Sequence, residues 1–526
     1  MASYKVLITT SGIGQRLGEL TLHTNKSLVR VGKKPAISYI IEQYPDDVPL
    51  VITVGYFEDH VREFVAMAYP HRTVEFVVVD KYVGPGSSLG YSLRCAKDQL
   101  QTPFIYHACD TIVTQKIPAP TRNWIGGHKG DDSSQYASFM VNQDKVRSYC
   151  PKGAIDFDYL HIGLVGIHDY GQFWGILDGL ISANPTNSEL NDCAVIEAML
   201  KTTDFRLIQF FQWFDIGNTG SLRHARAQID DTFDNLDKTD ESIFLFDDFV
   251  IKFFSDPKLV RSRCARAEIL GDLVPKIEAE SRHFYRYAYQ VGEQYSNCMT
   301  PVDFEQFLQW ADTRLWTPTH EVSSEEFKAI CVGFYYTKTL ERTAQFLKIQ
   351  GIDDTADIIN GERIPPLSEI LSHIDFQWLS SADQTMFHGD FILENILKTE
   401  DGYCLVDWRQ NFGGLLTSGD IYYDLAKLNH NLTINHHIVN SNLFTIDIQK
   451  KEIACDILQR HTFTLAQSVL FDFIRKKGLS EKKVRLLTSI IWLNMSPLHH
   501  YPFNLFLYYF GKYTLWNLVK PTVTHD

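Results

Sequence analysis

Three residues in the C-terminal half have types and spacing suited to phosphoryl transfer. Asp390 and Asn395 stand five apart in FHGDFILENILK, and Asp407 follows twelve residues later in CLVDWRQNF. In this layout the first Asp orients or deprotonates an attacking hydroxyl, while the Asn and the second Asp hold Mg²⁺ on the phosphates of ATP. Helix capping is the competing use of such residues, and it would have to produce all three in order by accident. Upstream, Lys252 lies in an expected strand, FVIKFF, and Glu268 in an expected helix, RSRCARAEIL. That is the order of a strand lysine contacting ATP phosphates and a helix glutamate paired with it, although each residue type is common in such an element.

A second constellation opens the chain, in TTSGIGQRLGELTLHTNKSLVRVGKKPAI. Gly12 and Gly14 fall where the first strand ends, so backbone amides can approach a phosphate with no Cβ in the way. Arg16 and Lys26 follow at positions suited to bracket a triphosphate. A lone G-x-G equally marks a plain turn.

These residues need elements to hold them. The first ~230 residues alternate β-rich runs (6–10, 50–56, 74–80, 104–110) with amphipathic stretches around 35–44, 58–68 and 88–99. This order predicts an α/β fold with a doubly wound, mostly parallel sheet whose strand ends carry the ligands. The acidic stretch IDDTFDNLDKTDES (229–242) reads as a linker or hairpin entry. A strand pair over 243–254 and a largely helical remainder predict a bilobal α+β arrangement. The expected domains are 1–235 and 240–526.

The whole string 9–37 resembles the signature of nucleoside-diphosphate-sugar pyrophosphorylases and related cytidylyltransferases, with Thr9-Thr10-Ser11-Gly12 in place of the usual L-A-A-G. The resemblance implies that Gly12, Gly14 and Arg16 hold a nucleoside triphosphate and that Lys26 stabilises charge developing at its α-phosphate. It makes Asp110, ending FIYHACD, and Asp215, in WFDIGNTGSL with Asn218 for the usual Thr, the two Mg²⁺ carboxylates. A hard cation on oxygen ligands offsets the repulsion between two phosphates brought together. It also places Gly84, Gly86, Ser87 and Ser88 at the base and ribose, where a helix N-cap is the alternative. Lys152 becomes a contact to the acceptor's phosphate, where a surface loop lysine is the alternative.

The C-terminal string, with His388-Gly389 before it and GDIYYDLAKL (419–428) after it, resembles the aminoglycoside phosphotransferase and choline kinase group. No G-x-G-x-x-G loop precedes Lys252, the hairpin reading FLFDDF, which counts weakly against kinase activity; no A-P-E segment follows Asp407, so a protein substrate is not expected. The adenine hinge is expected near 285–294.

A kinase turns R-OH into R-O-phosphate, and a nucleotidyltransferase couples that product to an NTP with release of pyrophosphate. The two resemblances together imply a bifunctional enzyme using Mg²⁺, ATP and CTP (or UTP) to activate a small alcohol or sugar for surface, capsular polysaccharide. The alternatives are a kinase-like half kept only for binding or regulation, and a kinase half of the antibiotic-resistance type, for which an acidic acceptor pocket is expected. A net charge of −14 argues against nucleic acid as a partner. Nine dispersed cysteines without a C-x-x-C pair, no leader-like start and no long apolar run fit a cytoplasmic protein with no membrane contact. Nothing in the sequence speaks against a homo-oligomer.

Overall fold

The computed structural model describes residues 4–229, 239–449 and 452–521. Most of the acidic stretch expected to be a linker, residues 230–238, lies outside the described residues. The chain divides into two compact units, Met1–Val260 with Glu278–Tyr289, and Arg261–Ile277 with Gln290–Asp526.

In the first unit, strands β1 (Lys5–Thr9), β2 (Leu50–Val54), β3 (Val74–Val78) and β4 (Phe104–Ala108) form the parallel half of a sheet. A short strand, β5 (Thr111–Val113), follows, then β6 (Trp124–His128), β7 (Ser138–Asn142), β8 (Lys145–Cys150), β9 (Tyr159–Ile167) and β10 (Arg206–Gln209). The nine-stranded order is β3-β2-β1-β4-β9-β6-β10-β8-β7, with β9 antiparallel to both β4 and β6. The sheet is thus α/β and covered on both faces, but mixed beyond β4. Its central strands read as continuous apolar runs because both faces are buried. Val6 and Ile8 of β1 pack with Ile37, Ile40, Val61 and Phe64 on one face, while Leu7 packs with Leu93, Phe173 and Leu177 on the other. Each such side chain contributes about 1.5–3 kcal/mol when fully buried.

The hairpin β12 (Glu241–Leu245) and β13 (Phe249–Phe254), introduced after the short strand β11 (Trp213–Asp215), joins β14 (Ile277–Glu280) and β15 (Phe284–Ala288) in the order β12-β13-β15-β14. Its apolar face covers the helix Glu58–Ala68, where the Phe64 ring lies 5.4 Å from Phe244 and 6.1 Å from Phe284.

The second unit is largely helical. Its core gathers side chains from the helices Pro301–Arg314, Ile421–Thr433, His461–Lys476, Glu481–Met495 and Phe503–Val519. The aromatic-rich helix Phe503–Val519 lies in that core, with Phe506, Leu507 and Leu515 fully buried. Among the described residues no helix is long and apolar enough to cross a membrane. All nine cysteines are free.

Candidate active sites

At the N-terminal site the chain leaves β1 through Thr10, whose hydroxyl donates to Thr53 O (2.7 Å). Gly14 sits at φ 73°, a left-handed conformation, and a Cβ there would lie 2.8 Å from Lys26 Cβ, so only glycine fits this turn. The buried Asn25 pins the following turn: its amide donates to Thr10 O (2.8 Å) and Tyr56 O (2.6 Å), and its carbonyl caps Ser27 N (2.9 Å). Lys26 is thereby aimed at Asp110, Nζ to Oδ2 3.3 Å. Burial opposes the lysine's charge, but the Asp110 carboxylate outweighs it and raises the pKa above the usual range. Asp110 in turn is raised by burial and lowered more by Lys26, for a net shift downward.

Two carboxylates far apart in sequence meet because β11 pairs antiparallel with β5, setting Asp215 opposite Thr111, while Ile216 N donates to Asp110 O (3.0 Å). A methyl placed on Gly217 would lie 3.1 Å from Asp215 Oδ1, 3.2 Å from Arg16 Nη2 and 3.4 Å from Asp110 Oδ2. Arg16 and both carboxylates therefore converge on one spot, and a pair of carboxylates suits a hard cation such as Mg²⁺. Tyr136, which the sequence gave no reason to choose, donates its hydroxyl to Asp215 Oδ2 (2.9 Å) and meets Trp213 edge-to-face at 4.9 Å.

The other N-terminal expectations are placed less closely. Gly12 has open space around its Cα, and Gly84 and Gly86 adopt positive φ. Ser88 is the N-cap of the helix Leu89–Cys95, accepting from Tyr91 N at 3.0 Å, and the Ser87 hydroxyl donates to Gly84 O at 2.8 Å. Gly86 N donates to Ser188 Oγ (3.2 Å). Both serines thus serve the turn itself. Lys152 is exposed in the turn before β9, close enough to Cys193 to lower the pKa of that buried thiol against the stronger upward effect of burial.

At the C-terminal site the HGD turn is fixed by Asp424, whose carboxylate accepts from His388 N (2.8 Å), Gly389 N (2.7 Å) and Trp316 Nε1 (3.2 Å). Burial pushes the Asp424 carboxyl up to about 6, although those donors act against the shift. Gly389 has φ 86°, and a Cβ there would be 2.6 Å from Arg409 Cβ. Asp390 is paired with Lys427 (2.7 Å) and accepts from Asn395 Nδ2 at Oδ2 (3.2 Å) and at its carbonyl (2.9 Å). Burial acts to raise the Asp390 pKa, but Lys427 prevails and holds it below the usual carboxylate range. Asp407 is at φ 57°, rare for a residue with a Cβ, and such a conformation costs on the order of 1–3 kcal/mol. It is held by neighbours on both sides. Trp408 Nε1 donates to Arg263 O (2.8 Å), Arg409 N donates to His388 O (3.0 Å), and Arg263 pairs with Asp407 Oδ1 (2.5 Å). The oxygen donors of Asn395 and Asp407 are likewise the kind Mg²⁺ takes.

Lys252 is buried on β13, in register with Ile243 and Tyr285. Glu268 is exposed on the helix Pro257–Leu270, and no hydrogen bond or ion pair of it occurs among the described residues. The buried residues of that helix include Cys264, Arg266, Ala267 and Leu270, and Glu268 is not among them. The residues that the sequence did not suggest are Lys427, Arg263 and Arg266. Arg266 is fully buried, donating to Leu416 O (2.8 Å) and Phe387 O and thereby bracing the HGD turn. Lys427 stands one turn after Asp424 on the helix Ile421–Thr433, a spacing that a helical projection of GDIYYDLAKL would have exposed.

Sheet order, paired carboxylates and the HGD turn define a nucleotidyltransferase fold followed by a kinase-like domain. Residues 336–436 match the model of the phosphotransferase enzyme family. The C-terminal region is accordingly similar to phosphotransferases over those residues, and the N-terminal region is similar in part to a cytidylyltransferase. For the latter, the choline-phosphate cytidylyltransferase of Streptococcus pneumoniae (strain ATCC BAA-255 / R6) is 32% identical over 106 residues, 20% of this chain. The match spans 44% of that relative's length. Among solved structures, the CTP:phosphocholine cytidylyltransferase of S. pneumoniae superposes with a TM-score of 0.38 at 21% identity, covering 43% of this chain and 99% of the other. The inositol-1-phosphate CTP transferase of T. maritima gives 0.36 at 14% identity, with 43% and 97% covered.

Proposed function

We propose that the chain is a bifunctional enzyme that phosphorylates a small hydroxyl-bearing metabolite with ATP and then couples the phosphate product to an NTP. The supporting observation is that one chain holds two separate carboxylate–cation constellations, Asp390–Lys427–Asn395 in one unit and Asp110–Asp215–Arg16–Lys26 in the other. In the first reaction the acceptor oxygen attacks the γ-phosphorus, Asp390 takes the hydroxyl proton and ADP leaves. In the second, an oxygen of the new phosphate attacks the α-phosphorus of the NTP and pyrophosphate leaves, with Lys26 and Arg16 positioned to offset the charge that develops. Mg²⁺ held by Asn395 and Asp407, and by Asp110 and Asp215, would supply charge neutralisation on the phosphates. CTP is favoured over UTP because the relative that matches at 32% identity is a cytidylyltransferase. The product would be an NDP-activated precursor of the kind used for surface polysaccharide, in the cytoplasm.

A second reading, in which the kinase-like half only binds, is favoured by one observation. The β12–β13 turn, closed by Phe246 N donating to Phe249 O (2.9 Å), carries Asp247 and Asp248 where a phosphate-covering loop would carry glycines. Incubating the full chain with Mg-ATP, CTP and a panel of alcohols, sugars and amino acids, with and without a phosphate, separates the readings. ADP from unphosphorylated members and pyrophosphate from phosphorylated ones are expected. Pyrophosphate without ADP on any member would leave the kinase-like half as a binding module.

A further inference from the structure

Next to Asp390 the second unit holds a cavity of about 220 Å³, small for a ligand pocket and of a size for a compact metabolite. Four cations line it: Lys338, Arg342, Arg409 and Lys427. No carboxylate does. Lys427 is paired with Asp390 and so joins the cavity to the residue placed to take the hydroxyl proton. The other three make no ion pair among the described residues. Lys338 lies over the Phe334 ring at 4.3 Å and Arg409 over the same ring at 5.0 Å, while Arg342 reaches only the amide oxygen of Gln345 (3.3 Å). The wall opposite is apolar, from Leu487, Ile490 and Ile491, interrupted by Asn494, whose buried amide oxygen has no hydrogen-bond partner.

Three basic side chains gathered in a concave, partly desolvated site repel one another, and the repulsion is relieved by an entering anion or by loss of a proton from the lysine. The effect is visible in Lys338, whose pKa is lowered to about 7 by burial first and then by Arg409, Arg342 and Lys427. A cationic ligand would meet the reverse: three basic side chains without an ion-pair partner among the described residues, beside a fourth, Lys427, whose charge is already matched by Asp390.

Resting on the phosphotransferase reading above, we infer that the acceptor phosphorylated at this site is an anionic hydroxy compound, its carboxylate, phosphate or phosphonate held by Lys338, Arg342 and Arg409 with its hydroxyl toward Asp390. Asn494 is placed to accept a second hydroxyl or an amine proton of the same molecule. Choline and aminoglycosides, both cationic, are the wrong charge for this pocket, whose described lining is basic and not the acidic one expected for a resistance-type kinase.

The test is a charge-matched acceptor panel with the full chain and Mg-ATP, following ADP and the phosphorylated product. The cationic members are choline, ethanolamine and kanamycin, the neutral ones glycerol and ribitol, and the anionic ones glycolate, glycerate, glycerol 3-phosphate and 2-hydroxyethylphosphonate. At least one anionic member should exceed its neutral counterpart by about tenfold or more in kcat/KM, and carboxylates against phosphorus oxyanions show which anion is used. Arg342→Gln and Lys338→Met should each raise the acceptor KM about 10–100-fold, as loss of a charge-assisted hydrogen bond does, with the KM for ATP unchanged. Arg342→Lys should recover part of that loss, and an unchanged melting curve would exclude misfolding. Asp390-dependent turnover of cationic or neutral acceptors in preference overturns the inference and leaves the phosphotransferase reading standing. A rise in the KM for ATP instead assigns the cations to the nucleotide and also overturns it. No turnover in any charge class, with Mg-ATP bound, removes the phosphotransferase reading and the inference with it.

Discussion

Asp390 and Asp110 are each faced by one lysine, Lys427 and Lys26, and in the proposed function each pair serves a different reaction. Replacing Asp390 with Asn removes the group that takes the hydroxyl proton, so ADP formation should fall about 10²–10⁴-fold while pyrophosphate release from a phosphorylated acceptor stays as in the wild type. Lys26→Met removes a preorganised cation from the α-phosphate, and pyrophosphate release should fall about 10²–10³-fold with ADP formation retained. Parallel assays of the two products check both, and equal loss of both activities in either variant would indicate one shared site or a misfolded chain. At this scale the sequence was readable where chemistry demands a fixed order, as in Asp390, Asn395 and Asp407. It was silent on Tyr136 and Arg263, whose partners Asp215 and Asp407 lie 79 and 144 residues away. Contacts at such separations follow from the tertiary fold and leave no local spacing to read.

Elements were legible to the extent that their pattern is local. The parallel half of the sheet and the helix Glu58–Ala68 announce themselves through apolar runs and helical periodicity, and both fall within a few residues of expectation. The antiparallel half, β6 to β9, rests on pairings between distant segments, which is why a mostly parallel sheet turned out mixed. The packing of β12–β15 on the Glu58–Ala68 helix was equally hidden, and it makes that helix sensitive to pH. His60 is buried against Phe253 and His283, and burial, then His283, then Arg282 lower its pKa to about 3. The folded form therefore keeps His60 neutral, whereas the unfolded chain takes up a proton as the pH falls below 6.5. Protons favour the unfolded state in that window, so stability falls as the pH drops from about 6.5 towards 3, by at most about 1.4 kcal/mol per pH unit for this one group. Amide-exchange protection of residues 58–68 should weaken between pH 7 and pH 5, and His60→Gln should flatten the dependence. A profile as steep in His60→Gln as in the wild type would place the sensitivity elsewhere. Phe64→Ala, at the centre of the same contact, should cost about 3–5 kcal/mol in thermal or denaturant unfolding.

For the whole molecule, the proposed function turns on the fate of the intermediate between its two reactions. The phosphorylated acceptor is an anion, and the chain has a net charge of −14, so its overall field drives such a molecule away rather than retaining it between sites. The Asp390–Lys427 and Asp110–Lys26 pairs also share no residue. The intermediate is therefore expected to pass through solution. With the unphosphorylated acceptor, ATP and CTP, the wild-type chain should form ADP at once and pyrophosphate after a lag, as the intermediate accumulates towards the KM of the second site. Neither Asp390→Asn nor Lys26→Met should give pyrophosphate from that mixture alone. Mixed together they should, because the phosphorylated compound made by the Lys26→Met chain can diffuse to the intact nucleotidyltransferase site of the Asp390→Asn chain. Added alkaline phosphatase should suppress the pyrophosphate signal by consuming the intermediate in transit. Failure of the mixture, with each variant still competent in its own half-reaction, together with resistance to phosphatase in the wild type, would show that the intermediate is handed over within one chain against the sign of the field.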